Sequence, residues 1–500
     1  MVLWKKILND NWTFRIGIST SFDDMQEVGY GAQPEQVTLP HDAMIHTERE
    51  DSKTGAAIAF YKGYNYSYSR TLYIGEEETG KDFWLEFEGV FQDAFVYVNG
   101  ALAGRCNYGY GSYYIHLTEF LQFGSENQIV VIVRNEGRRS RWYTGGGIYR
   151  DVYLHVGNPL HIACESVKIT STDIESELAV VQAETPLVYK GAKTVAARVR
   201  TELIDPSGKV SACEDSPITL IPGEESVLRQ KLFVKNPVLW NVDTPNLYDC
   251  KTTVFLDGEV ADEAVNRFGI RKLQLDVLHG LRINGEVIKL RGACVHHDLG
   301  VIGTATFQRS EYRRVKKLKE AGFNAIRTGA HPSSKAMLDA CDELGMLMVD
   351  EFTDVFDAVK VDQDYGSRFS DFWRLDLSNM VKRDYNHPSV IMYSLGCENS
   401  QIANTYNRRL VKQMVDQIRQ IDTTRYTTND INLTLIVMGY MADLLAEKNV
   451  NTDADVNAAM NNYKELLESL YNHERADEII EEAVAGMDFR CFCKLELGRL

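Results

Sequence analysis

No stretch of about 20 consecutive apolar residues occurs in this 500-residue chain, so no bilayer-spanning helix is expected. Positive charge is scarce too: 54 Lys and Arg stand against 71 Asp and Glu, a formal charge of −17. A phosphate backbone or an anionic membrane is bound by clustered Lys and Arg, so neither nucleic acid nor a membrane is expected as a partner. The nine cysteines are odd in number and lack paired short spacings apart from Cys491 and Cys493, too few for a four-ligand zinc site. Reduced thiols are the simplest reading. The opening MVLWKKILNDNWTF meets Asn9 and Asp10 before an apolar run of signal-peptide length develops, so a cytoplasmic location is expected. A glycine-rich phosphate loop is also missing, and no cofactor is expected.

What is present is material for several cores: 44% hydrophobic residues, 25 tyrosines, and a length that suggests two to four domains. Residues 60–156 hold alternating or apolar runs such as FWLEFEGV, AFVYVNGALAG and QIVVIVRN, separated by turn residues, with Asn99-Gly100 placed for a tight hairpin. A first antiparallel, jelly-roll-like β-sandwich is expected over residues 1–158. Runs including TVAARVRTELID and ESVLRQKLFV, with turns at PSG and LDG, predict an immunoglobulin-like β-sandwich of about seven strands over 159–268. After Phe268, apolar strands FNAIRT, MLMVDE and SVIMYSLG alternate with amphipathic helices such as SEYRRVKKLKEAG and SSKAMLDACDELG. Strand–helix alternation implies parallel βαβ units, and their repetition favours a (β/α)8 TIM barrel over 269–500.

Barrel active sites lie at the C-terminal ends of the strands. Four ends carry polar chemistry: His296, His297 and Asp298; Arg327 and His331; Asp350 and Glu351; and Glu398, preceded by Cys397. Such a ring suits general acid–base work on a polar, uncharged ligand such as a sugar. The plainer readings are that the histidines cap a strand and bond backbone, and that Asp350 and Glu351 satisfy Arg327. Metal ligation by His296, His297 and Asp298 is disfavoured, because consecutive strand residues alternate faces; no metal is expected.

LRGACVHHDLGVIG, FNAIRTGAHPSSKAMLDACDELGMLMVDE and NHPSVIMYSLGCE resemble the barrel signatures of glycoside hydrolase family 2, the β-galactosidases and β-glucuronidases. RWYTGGGIYRDVYL (141–154) is similar to the segment closing that family's first sandwich, and LPHDAM (39–44) to its early motif. The resemblance covers about residues 1–430. It implies a carbohydrate substrate and a retaining mechanism with two carboxylates about 5–5.5 Å apart. Counted from Asn386-His387-Pro388, Glu398 falls on the acid/base and Cys397 on an asparagine that bonds the sugar 2-hydroxyl, where a thiol is a weaker partner. His296, Arg327, His331, Asp350 and Glu351 join Cys397 as substrate-binding candidates. The family's Arg-x-x-His-x-Pro reads here with Ala330 in the histidine's place and His331 one position later. The family nucleophile, at the end of the seventh strand, is not recognisable, and the terminal FRCFCKLELGRL resembles nothing in the family. A C-terminally truncated chain with an incomplete barrel and impaired activity is therefore expected. The implied reaction is hydrolysis of terminal β-glycosides, β-galactosides first. The alternatives are a β-glucuronidase, an inactive carbohydrate-binding protein, or a β-sandwich scaffold. Self-association is left open.

Overall fold

The structure, a computed structural model, describes residues 4–17, 33–49, 55–137, 139–164, 167–399 and 405–430. The chain divides into two compact units, Met1–Ser394 with Val415–Thr428, and Leu395–Met414 with Asn429–Leu500. The first unit opens with a sandwich of two antiparallel sheets. One sheet orders Trp4–Ile7, Val152–Gly157, Asp82–Phe87 and Tyr113–His116; the other runs from Glu35–Val37 through Trp12–Ile16, Tyr66–Ile74, Ser125–Val133 and Ala94–Val98 to Ala101–Cys106. The strands before residue 60 were not evident in sequence, where only short apolar runs mark them. Asn99 and Gly100 take φ of 51° and 82°, the paired positive angles that a tight hairpin between right-twisted strands requires.

The second sandwich spans Leu160 to Phe268 with eight strands rather than about seven. Alternation builds it: along Leu178–Tyr189 every second side chain is buried, and Ala179, Val181, Ala183 and Leu187 join Val199, Leu203 and Val254 of the facing sheet in one core.

A small sheet of Leu273–Asp276, Gly280–Ile283 and Glu286–Val287 precedes five strands in simple order: β1 (Gly292–Val295), β2 (Ala325–Thr328), β3 (Leu347–Glu351), β4 (Val390–Cys397) and β5 (Tyr426–Asp430). The pairs β1–β2, β2–β3 and β3–β4 are parallel. Helices α1 (Gln308–Glu320), α2 (Lys335–Leu344), α3 (Gly366–Asp384) and α4 (Thr405–Ile421) connect them. The strands β3 and β4 are buried along nearly their whole length and, apart from Asp350 and Glu351 at the end of β3, mostly apolar, as expected of parallel strands under helices. Local signals place α2 within two residues of the expectation. Ser334 Oγ accepts from Met337 N at its start, and Gly345 (φ 67°) closes it where a Cβ would stand 2.3 Å from the Val242 carbonyl oxygen. The expected incompleteness of the barrel concerns residues 431–500, outside the described residues. No described helix is long and apolar enough to cross a membrane, and the seven described cysteines are free thiols.

Candidate active site

In the first unit the C-terminal ends of β1, β2 and β3 meet residues 139–149 of the first sandwich. His297 is buried, with Nε2 3.0 Å from the Thr144 carbonyl oxygen, and burial pushes its pKa down to about 3. His296, on the opposite face of the chain, is half-buried against Trp142, with ring centroids 4.9 Å apart. Its pKa is also lowered, by burial first, with Asp298 and Asp354 pulling the other way. Arg314 Nη1 donates to the His296 carbonyl at 2.6 Å and so fixes this turn.

On β2, Arg327 donates from Nε to Glu351 at 2.6 Å, and its Nη1 reaches the Cys294 sulfur at 3.4 Å. The Glu351 side chain has no exposed surface, whereas the Arg327 side chain is 24% exposed. This pair is a charged floor with one accessible edge. Asp350 points the other way, as strand alternation dictates. It accepts from Ser333 N at 3.0 Å and sits against Asp384, which Arg383 grips with both nitrogens at 2.5 and 2.8 Å. Burial, then the Asp384 charge, raises the Asp350 pKa well above the carboxylate range. The plain expectation that both acids of β3 satisfy Arg327 thus holds for Glu351, while Asp350 belongs to a buried polar cluster. His331 is likewise buried, stacked on Tyr110 at 4.4 Å, and burial holds it neutral. As placed, Asp350 and His331 offer a ligand no exposed atom and act as support for the wall that Ala330 and Trp142 line.

Sequence reasoning did not single out Trp142, Arg141 or Asp354. Arg141 donates from Nε to Asp354 Oδ2 at 2.9 Å, and Lys360 Nζ donates to Asp354 Oδ1 at 3.0 Å. Trp142 Nε1 donates to Tyr110 Oη at 3.2 Å, which holds the indole in place beside His296. The signal was present in the quoted RWYTGGGIYRDVYL segment, read there only as the closing stretch of a sandwich.

In the second unit, Cys397 ends β4 and the half-buried Glu398 follows with φ of 50°, a left-handed conformation unusual for a glutamate. Glu398 N donates to the Asp430 carbonyl at 3.0 Å, and the Cys397 thiol lies 3.9 Å from Asp430 Oδ2. Backbone pairing to β5 thus holds the glutamate in a conformation it would otherwise avoid, the kind of strain that concentrates at functional sites.

Two family models match the chain. The glycosyl hydrolases family 2 model covers residues 160–271, the second sandwich, and the glycosyl hydrolases family 2 TIM barrel domain model covers residues 277–487. The chain belongs to glycosyl hydrolase family 2. The barrel match runs to residue 487, past the residue 430 or so at which the sequence motifs give out. Among relatives of this family 2 chain, a beta-galactosidase of Bacteroides ovatus is 35% identical over 395 residues, 78% of this chain and 46% of that protein. A beta-glucuronidase of Bacteroides fragilis is 27% identical over 442 residues, 85% of this chain and 61% of that protein. The crystal structure of a glycosyl hydrolase family 2 member from Bacteroides cellulosilyticus superposes with a TM-score of 0.80 at 32% identity, covering 91% of this chain and 57% of that one. The chain spans about half the length of the curated relatives it matches.

Proposed function

We propose that the chain acts as a β-glycosidase on terminal β-glycosides, β-galactosides first, by the retaining mechanism, with Glu398 as acid/base. The observation that carries the reading is the set of groups at the strand ends of the first unit: the Trp142–His296 aromatic pair after β1 and the Arg327–Glu351 ion pair on β2 and β3. A pyranose is polar round its rim and apolar on its faces, so an indole and a fixed ion pair are fitting partners for it. Glu398 would protonate the leaving oxygen and later take a proton from water. Cys397 stands where the family has an asparagine, and a thiol bonds a 2-hydroxyl more weakly than a carboxamide does. The attacking carboxylate is assigned to no residue. The higher identity to the relative named beta-galactosidase supports galactoside over glucuronide.

The test is Glu398→Gln assayed on two aryl β-galactosides, one with an activated leaving group and one without. The expected result is a loss of about 10²–10⁴-fold on the poor leaving group and a much smaller first-step loss on the good one, because only the former needs a proton donor. Equal losses on both would remove Glu398 from the role. Saturable galactoside binding with no turnover by the unaltered chain would replace the hydrolase reading with that of a binding protein. Faster cleavage of an aryl β-glucuronide would overturn the galactoside preference.

A further inference from the structure

Beside the site just described, three arginines converge on one carboxylate and a fourth stands next to them. Asp93 is buried and accepts from Arg105 Nε at 2.9 Å, with Arg105 Nη2 at 2.5 Å, Arg134 Nη1 at 3.5 Å and Arg368 Nη1 at 3.9 Å. Arg139, the fourth, forms no ion pair; it donates from Nε to the Glu136 carbonyl at 3.0 Å and reaches the Gln363 carbonyl from Nη1 at 3.4 Å. Among the described residues Asp93 is the only carboxylate that pairs with any of the four. Glu136 and Asp376 act on the group through space, but Asn65 bonds the Glu136 carboxylate, and Tyr113 and Tyr365 bond that of Asp376.

The guanidiniums are fixed in position while sharing a single paired carboxylate. Arg105 lies over the Phe95 and Phe372 rings at 4.8 and 5.2 Å, and Arg134 over Phe95 at 4.9 Å, so aromatic faces hold both in register. The Arg368 side chain is only 14% exposed, yet its Nε and Nη2 are buried with no acceptor. Two orphaned charged donors in one side chain are a standing cost that an acceptor arriving from outside would remove. Burial, and then the charges of Arg368 and Arg134, hold the Arg139 pKa down to about 10, so the cluster is short of negative charge as it stands.

We infer that this cluster is a binding subsite for an oxyanion of sulfate, phosphate or carboxylate type, carried on an acidic glycan that enters the neighbouring sugar site. The forked geometry of guanidinium matches such groups with paired hydrogen bonds, which a single ammonium does not offer. The link to the sugar site is spatial: Arg139 lines the same cleft as Trp142, Ala330 and Asp354. That the anion rides on the substrate rests on the proposed glycosidase reading; that the cluster takes an oxyanion does not.

Titration calorimetry on the full chain tests both parts, with sodium sulfate, a monosulfated galactose disaccharide and the desulfated parent disaccharide as probes. The expected result is saturable sulfate binding, with the sulfated disaccharide bound roughly tenfold or more tighter than its parent, and loss of that margin in Arg368→Gln. Arg134→Gln, at a side chain 41% exposed, repeats the test should the buried substitution fail to fold, and the margin should shrink there too. Sulfate binding without preference for the sulfated disaccharide would overturn the substrate-borne part. No saturable binding of sulfate or sulfated sugar, or a margin unchanged in both variants, would overturn the subsite. Selective binding without any hydrolysis would count against the glycosidase reading alone.

Discussion

The adjacent histidines at the end of β1 show what one position of chain does. Strand alternation sends His297 into the interface, where it bonds the Thr144 carbonyl, and His296 toward the Trp142 indole. Sequence reasoning held both readings, function and plain strand capping; His297 makes the backbone bond of the plainer one, while His296 stays a candidate for the other. Asp350 and Glu351 divide in the same way. The period of two was legible; which face met solvent was not, because that depends on a sandwich loop more than 150 residues earlier in the chain. For the same reason Trp142 passed unnoticed: nothing local in RWYTGGG says that the ring stands over a barrel strand. If Trp142 is a platform for the sugar, Trp142→Ala should raise KM for an aryl β-galactoside by about 3–10-fold with little change in kcat, the range set by one aromatic contact of about 0.5–1.5 kcal/mol. Trp142→Phe should recover most of that loss. A fall in kcat at constant KM would place the indole in the chemistry, and no effect would remove it from the site.

At the scale of elements, helices and strands were read within a few residues, because each carries its own period and its own stops: Ser334 and Gly345 bracket α2, and the apolar run Val390–Cys397 is what a covered parallel strand needs. What joins one element to another was not readable. The bond between α3 and the sandwich strand Tyr113–His116 runs through Asp376, which accepts from Tyr113 Oη at 2.7 Å and Tyr365 Oη at 2.5 Å. Burial raises its pKa and these hydroxyls and Arg368 pull it back, leaving it up at about 6. A carboxyl whose folded pKa lies above its unfolded one contributes stability that is fully present below about pH 4 and is lost as pH rises through about 6. The shift corresponds to about 3 kcal/mol at neutral pH. Asp376→Asn accepts the same hydroxyl protons without titrating, so it should gain on the parent chain by up to that amount between pH 4 and pH 7, measured by urea unfolding. Glu88, held up at about 7 by burial, titrates in both proteins and cancels from the difference. Parallel stability curves over that window would show that Asp376 is not the group that titrates.

At the scale of the whole molecule, the first unit unites modules whose separate cores suggest independence. The buried bonds between them argue for coupling. Arg150 is buried, and its guanidinium reaches the carbonyls of Tyr110, Pro332 and Ser333 at 3.1–3.5 Å, while Tyr108 Oη donates to the Phe352 carbonyl at 2.8 Å. The tightest of these ties is Asp42, within the LPHDAM stretch that sequence alone marked as a motif without a use. Its carboxylate accepts from Thr304 N and Tyr143 Oη at 2.8 Å, Met44 N at 3.0 Å, Thr304 Oγ1 at 3.1 Å and Gly146 N at 3.2 Å. Three of those donors belong to the first sandwich and two to the connection between β1 and α1. Asp42→Ala would leave all five in a dry interface without their acceptor, a cost of roughly 3 kcal/mol or more. Because the loss falls on the tie rather than on either core, unfolding of the variant by guanidinium, followed by tryptophan fluorescence, should split into two transitions where the parent shows one for this unit. A loss under about 1 kcal/mol with one transition retained would show that Arg150 and Tyr108 suffice to couple the sandwich to the barrel strands.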